Sequence, residues 1–358
     1  MNKLLVTPLL VLILGACGIE LPPIVGCEAV GEIKPVCGMQ TPEDIAALPD
    51  DQFLLLSNFS GMSHGTGTIG LFDTRSDSLV QLFPALDGTG LESQAGWGES
   101  SCPPPDSSVF RPHGTHLHQL DDGRWRYLVV NHGGRESIEL FELLPAGAES
   151  ELLWRGCVLP TADTVMNDVV GLDNGDIVFT RMFHEMAEGV NLKSLLRMDT
   201  GDIWRWSAGG GLRLLPGTDA SMPNGIEISA DNRYVFANMY FEEEVWKIDA
   251  DTGEVVGKAT AAFADNSAWG SDGRLWIASH SGGLLELSVC LKSQVEPCAA
   301  SFEIIALDPE SMATELVFAH RGPPMGAATV AVPLGGRVYL GSFVGDRLVS
   351  VPDFAKKP

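Results

Sequence analysis

Counting back from a series of tight turns picks out side chains that share one position. Glu43 stands seven residues before Asp50, Asn167 seven before Asn174, Asn224 seven before Asp231 and Asn266 six before Asp272, with Asp265 beside it. Carboxylate and amide oxygens, with no Cys or His among them, suit a hard cation that takes six to eight oxygens. Calcium fits such a set better than magnesium, which demands a tighter octahedron. An Asn before Gly or Asp is often only a turn residue that tolerates a left-handed backbone, but five oxygen positions in shared register point to a common site. Asp44 and Asp168 each directly follow a member of this set. Successive strand residues face opposite ways, which makes the two candidates for a second ion deeper in the fold.

The histidines ask for a different role. His113 in RPHGTHLHQL and His132 at the end of YLVVNHGG flank a turn at Asp122-Gly123. Antiparallel arms would return both to one end of the hairpin. Two neutral imidazoles near a divalent cation can act as general base and proton-relay partner. His280 is a further candidate, weighed against an ordinary hydrogen-bonded core histidine, and His116 and His118 fit that plainer role better. Gly61-Met62-Ser63-His64-Gly65 matches G-x-S-x-G, whose chemistry needs a strand, a sharp turn and a helix. The residues that follow, TGTIGLFD, read as a strand, so no serine nucleophile is expected.

The elements that must position these residues are legible as six copies of one phrase: an apolar lead-in, a tight polar or Gly turn, then a β-rich run. The copies are ALPDDQFLLLSN (47–58), QLDDGRWRYLVVN (119–131), GLDNGDIVFT (171–180), ISADNRYVFAN (228–238), WGSDGRLWIAS (269–279) and VPLGGRVYLGS (332–342). Each is a hairpin signal. Further strand-like runs include SIELFEL (137–143), EVWKID (244–249) and GLLELS (283–288). The spacing leaves room for four short strands per copy. The expected fold is all-β, a six-bladed β-propeller whose first strands line a central calcium-binding channel, so that residues just before the turns converge on its axis. WD40 repeats are excluded by period and signature, and a β-sandwich does not explain six similar hairpins.

Composition agrees. The 358 residues include 40 Gly and 22 Pro, and carry a formal charge of −24 with no Lys/Arg cluster. That argues against nucleic acid and anionic lipid surfaces as partners. Residues 1–16, MNKLLVTPLLVLILGA, read as a signal peptide, and Leu14-Gly15-Ala16-Cys17 resembles a bacterial lipobox with Cys17 as the lipidation site. Residues 17–41 then form a tether and 42–355 the propeller. The product is expected to be an exported monomer held to the cell envelope, with the outer membrane favoured, through the lipid alone. Six cysteines remain, an even number that favours disulfides in an exported chain. Local spacing favours Cys27–Cys37 and Cys290–Cys298, leaving Cys102–Cys157.

FRPHGTHL…WRYLVVNHGGRESIELFEL (110–143), MNDVV (166–170), PNGIEISADNRYVFAN (223–238), ADNSAW…GRLWIASH (264–280) and GAATVAVPLGGRVYLGS (326–342) together resemble the paraoxonase/arylesterase family of calcium-dependent six-bladed propeller lactonases. TPEDIAALPDDQFLLLSN (41–58) fits the same family. The resemblance implies a catalytic calcium on Glu43, Asn167, Asn224, Asp265 and Asn266. It implies a structural calcium on Asp44, Asp168 and a carbonyl near Thr115, a His113/His132 dyad, and His280 lining the pocket. The implied reaction is hydrolysis of a lactone or aryl ester. A non-catalytic calcium-stabilised binding propeller and a gluconolactonase-like sugar lactonase, a group that lacks this His pair, are the alternatives. Three departures stand out. No Cys follows Cys298, so the family's disulfide between the N-terminal segment and the last strand is missing. Residues 181–205 do not resemble its aromatic active-site cover. A lipobox and a tether replace its lipid-binding N-terminal helix.

Overall fold

The computed structural model describes residues 19–61, 65–86, 88–185, 190–292 and 296–356. The expected leader and Cys17 lie outside the described residues, as do Met62, Ser63 and His64. The chain after the G-x-S-x-G match continues as the strand Thr68–Asp73, not as the helix a nucleophile elbow requires.

Six four-stranded antiparallel sheets follow one another along the chain. Their innermost strands are Pro42–Ala47, Pro112–Gln119, Val165–Gly171, Pro223–Ile228, Ala264–Trp269 and Ala328–Leu334. Each of these touches the next, and the sixth returns to the first. The chain is a six-bladed β-propeller. All six phrases read from the sequence are the inner hairpins of the blades. In five of them a turn Asp or Asn accepts the backbone N–H two residues on, as Asp122 does from Arg124 at 3.0 Å and Asn174 from Asp176 at 2.9 Å. The sixth turns on Gly335-Gly336.

Burial grades outward. Val165–Gly171 is buried throughout, whereas the outer strand Thr314–His320 is mostly exposed. Every interface between neighbouring blades holds its own apolar cluster, including the closing one between the sixth and first blades, where Val330, Val332 and Leu348 meet Ile45, Leu54 and Phe72. The ring therefore buries its core as six layers between sheets.

Closure departs from the expected tether. Lys34–Cys37 is a strand and pairs antiparallel with Arg347–Pro352, completing the sixth blade. The blades thus begin at residue 34 and not 42, because the last sheet has three strands of its own and its edge is satisfied by the N-terminal segment. Strand pairing closes the ring without a bridge to the last strand, and Cys37 is joined instead to Cys27. Cys102–Cys157 and Cys290–Cys298 are the other disulfides, so the two pairings favoured by spacing and the one they left over are present.

One element is corrected. GLLELS, expected as a strand, lies within the helix Gly283–Cys290. The segment lies over the cavity, and its backbone satisfies its own hydrogen bonds as a helix. The cue was present in the i, i+3, i+7 spacing of Leu284, Leu287 and Leu291.

Candidate active site

The innermost strands carry a defect in common. In all six inner hairpins the register slips near the start of the inner strand, between Pro42 and Asp44, Pro112 and Thr115, Met166 and Val169, Pro223 and Ile226, Ala264 and Ser267, and Ala328 and Val330. A bulge frees residues from the ladder and re-aims their side chains. The skipped residues are Glu43, His113-Gly114, Asn167-Asp168, Asn224-Gly225, Asp265-Asn266 and Thr329. Every expected member of the first oxygen ring, and the first histidine of the pair, sits in a bulge. The inner strands also approach closely there. A Cβ on Gly114 would lie 2.4 Å from Asp168 Oδ1, and one on Gly225 would lie 2.5 Å from the Asp265 carbonyl oxygen.

The five ring residues are all buried. Glu43 Oε2, Asn167 Oδ1, Asn224 Oδ1 and Asn266 Oδ1 have no hydrogen-bond partner. Asn266 turns its amide nitrogen away, donating to Glu43 Oε1 at 2.8 Å. Unpaired buried acceptors are costly, and four of them from four blades make a ready oxygen cage. Burial, reinforced by the charges of Asp265, Asp44 and Asp168, pushes the Glu43 carboxyl well above its usual range. Burial and the Asp44 charge push Asp265 up to about 8. A divalent cation reverses both effects by favouring the ionised forms. The oxygen ring fits a calcium ion.

Asp44 and Asp168 differ. Asp44 Oδ2 accepts from the Thr115 N–H and hydroxyl, both at 2.7 Å, and Oδ1 from the Ile45 N–H. Asp168 accepts from the Val169 and Ile226 N–H groups at 2.8 Å. Each carboxylate clasps the next blade, and Thr115 meets Asp44 as a donor. Burial, offset in part by these hydrogen bonds, moves Asp44 up to about 6; burial and the Asp44 charge raise Asp168 well above its usual range. These carboxylates are close enough to repel, but no oxygen of either is unpaired.

His113 Nδ1 lies 2.9 Å from His132 Nε2, so the two arms of the hairpin do return together. His113 stacks on Phe59 with ring centroids 4.4 Å apart, and its Nε2 is 3.8 Å from Glu43 Oε2. Burial holds His113 well below its usual range, with His132 adding to the effect, so it is neutral near pH 7. His280 is buried opposite, with Nε2 3.4 Å from Asp265 Oδ2 and Nδ1 3.0 Å from the Tyr240 hydroxyl; burial lowers it to about 4. His116 and His118 lie together lower on the same inner strand, tied to the Gly171 N–H and to Arg126. Both are hydrogen-bonded there, the arrangement their plainer sequence reading describes.

A cavity of about 400 Å³ opens over the ring. Glu43, Asn167, Asn224, Asp265, His113 and His280 form its polar floor. Its walls are Phe59, Met182, Met222, Tyr240, Phe241 and Phe343, and Leu284, Leu287 and Ser288 of the helix Gly283–Cys290, with Leu291 just past its end, cover it. Sequence reading missed these walls and also Glu136, whose Oε1 is 2.7 Å from His132 Nδ1. Phe59 and Phe343 directly follow strand ends, and only the fold reveals that such positions face one cavity. A separate cluster of His184, Asp202 and Asp219 also groups ligand-type atoms. There both Asp202 oxygens are held by Arg181, whose guanidinium opposes a cation.

The sequence matches the family model for the SMP-30/gluconolactonase/LRE-like region over residues 108–290. The chain belongs to this family. No curated protein matches it in sequence. Solved structures share the SMP-30/gluconolactonase-like fold. A luciferin-regenerating enzyme is 12% identical over 88% of this chain and 92% of its own, with a TM-score of 0.52. A gluconolactonase from Xanthomonas campestris is 16% identical over 93% and 94%, with a TM-score of 0.50. Regucalcin from Agrobacterium tumefaciens, a calcium-binding protein, is 12% identical over 88% and 90%, with a TM-score of 0.50. At these identities the likeness shows the fold alone.

Proposed function

We propose that the chain is a calcium-dependent lactonase whose His113/His132 pair activates water, with aryl esters as a secondary substrate class. The observation that carries this proposal is the set of four buried, unpaired oxygens on Glu43, Asn167, Asn224 and Asn266 beside the cavity that His113 lines. Family membership supports the lactone as substrate, and the calcium-binding regucalcin neighbour supports the choice of ion.

Glu43, Asp265, Asn167, Asn224 and Asn266 would hold the ion. Two carboxylates match its charge, and three neutral amides leave it electrophilic. Bound there, calcium supplies polarisation of a carbonyl oxygen and stabilises the charge that develops on it. His113, kept neutral by burial, takes a proton from the attacking water and returns one to the leaving alkoxide. His132 shares the resulting charge by taking up the proton on the other ring nitrogen of His113 through the 2.9 Å contact. Phe59, stacked on His113, holds the ring in place and keeps bulk water off its face. We keep a second, structural calcium at Asp44, Asp168 and a carbonyl near Thr115 within the proposal, because two repelling buried carboxylates need a counter-charge; such an ion would have to replace the hydrogen bonds that now pair every oxygen of the two.

The apolar walls favour lactones with alkyl chains. A sugar lactone carries several hydroxyls that Phe241, Phe343, Met182 and Leu287 cannot satisfy. We further propose that the propeller is an exported monomer tethered through Cys17 to the envelope, which the lipobox supports and with which three disulfides are consistent. A panel of alkyl γ- and δ-lactones, gluconolactone and phenyl acetate tests the substrate class. Turnover highest on alkyl lactones is expected. Preference for gluconolactone would favour the sugar-lactonase alternative, and hydrolysis of nothing on the panel would favour the binding propeller.

A further inference from the structure

We infer that Glu136 is a positioning residue that fixes the tautomers of the histidine pair, turning the dyad into a Glu136–His132–His113 relay with its bare nitrogen at the cavity. The inference rests on the proposed lactonase reading for its catalytic consequence, but the tautomers themselves can be tested without it.

Three contacts carry it. Glu136 Oε1 lies 2.7 Å from His132 Nδ1, and the His132 side chain is only 3% exposed. The other oxygen, Oε2, accepts the Met166 N–H at 3.3 Å, tying the carboxylate to the inner strand of the next blade, one residue before Asn167. The loop between the histidine and the carboxylate is held by Asn131, whose Oδ1 accepts the Gly133 N–H at 2.9 Å while Nδ2 donates to the Gly133 and Arg135 carbonyls. Glu136 is thus anchored in place and not a mobile surface acid.

An ionised carboxylate only accepts hydrogen bonds, and a neutral imidazole protonates one nitrogen. Glu136 therefore keeps the proton of His132 on Nδ1 and leaves Nε2 bare. His132 Nε2 then accepts from His113 Nδ1 across their 2.9 Å contact, which leaves His113 Nε2 bare on the side of Glu43 and the cavity. Had His132 carried its proton on Nε2, His113 Nδ1 would be the acceptor, and its cavity-facing nitrogen would be protonated and useless as a base. One carboxylate, two side chains away, decides which nitrogen meets the substrate. During hydrolysis the water proton passes to His113 Nε2 as its oxygen bonds to the carbonyl carbon. The Nδ1 proton moves on to His132 Nε2, and the resulting imidazolium is paired with Glu136. When the ring C–O bond breaks, the protons run back and His113 Nε2 protonates the alkoxide, giving the hydroxy acid.

The test uses the full chain with calcium and histidines labelled with nitrogen-15. In the wild type both His113 and His132 are expected to show protonated Nδ1 and bare Nε2. Glu136→Gln, which offers a donor as well as an acceptor, is expected to mix the His132 tautomers. It should lower kcat by about 100-fold, less than the about 10⁴-fold cost of replacing the orienting acid of a Ser-His-Asp triad because the glutamine leaves part of the correct tautomer in place, with KM within twofold and an unchanged melting temperature. Glu136→Asp should recover part of kcat. A wild-type spectrum with His132 protonated on Nε2, or a Gln variant with wild-type kcat, overturns the inference. If the variants do not fold, the wild-type spectrum decides alone. A wild type that hydrolyses no lactone sinks the lactonase proposal, and the same spectrum still tests Glu136.

Discussion

Glu43, Asn167, Asn224 and Asn266 each leave an oxygen buried and unpaired, while His113 stands beside them neutral and stacked on Phe59. Removing the base without removing its bulk should therefore separate chemistry from folding. His113→Gln is expected to lower lactone turnover by about 10²–10⁴-fold, with a calcium-dependent melting temperature like that of the wild type. The acids make a second prediction. Asp265 moves from 3.8 to about 8 on folding, and Glu43 moves in the same direction. Between those values the metal-free folded chain holds protons that the unfolded chain has released, so each step up in pH costs stability. Above about pH 6.5, where the buried His113 and His280 are neutral whether folded or unfolded, the metal-free protein should melt progressively lower up to pH 8, and saturating calcium should abolish that slope. A metal-free melting temperature that rises over this range would contradict the buried-carboxylate ring. These residues were legible in the sequence because their oxygens recur at one distance from a turn. Glu136 was not, since nothing in the string NHGGRES distinguishes a carboxylate that reaches back to a histidine from one that faces solvent.

At the scale of elements, the six inner hairpins were readable because Asx and Gly turns and β-branched runs are local signals. The bulges that aim the site residues were not, because a bulge exists only as a mismatch between two strands. The closing strand was hidden for a similar reason: Lys34–Cys37 is short and Pro-containing, and its partner lies more than 300 residues away in sequence. Deleting residues up to 37 should expose the edge of Arg347–Pro352. A lower melting temperature by calorimetry and self-association by size-exclusion chromatography are then expected. The helix Gly283–Cys290 was misjudged as a strand because a short apolar run fits both periods. Its position over the cavity predicts a substrate-selective effect. Leu287→Ala should raise KM for long-chain lactones several-fold and leave short-chain lactones nearly unchanged. Equal effects on both would show that the helix supports the fold and does not contact the acyl chain.

The whole molecule closes its ring through apolar layers at all six interfaces, including the one sealed by the N-terminal strand. That rigidity allows residues from five blades to meet at one axis. The formal charge of −24 acquires a partial explanation. Glu43, Asp44, Asp168 and Asp265 are buried along that axis, while the remaining excess of acid keeps the surface soluble. Ring number and axial register were both written in the repeat, whereas the cavity walls depend on loops that differ from blade to blade. The most direct test is hydrolysis of an alkyl δ-lactone, followed by proton release, on one preparation before chelation, after complete calcium removal and after calcium is restored. Turnover should vanish on removal and return on restoration, in step with His113-dependent activity. Turnover unchanged in the fully metal-free protein would contradict a calcium held by Glu43, Asn167, Asn224, Asp265 and Asn266 as the centre of the site.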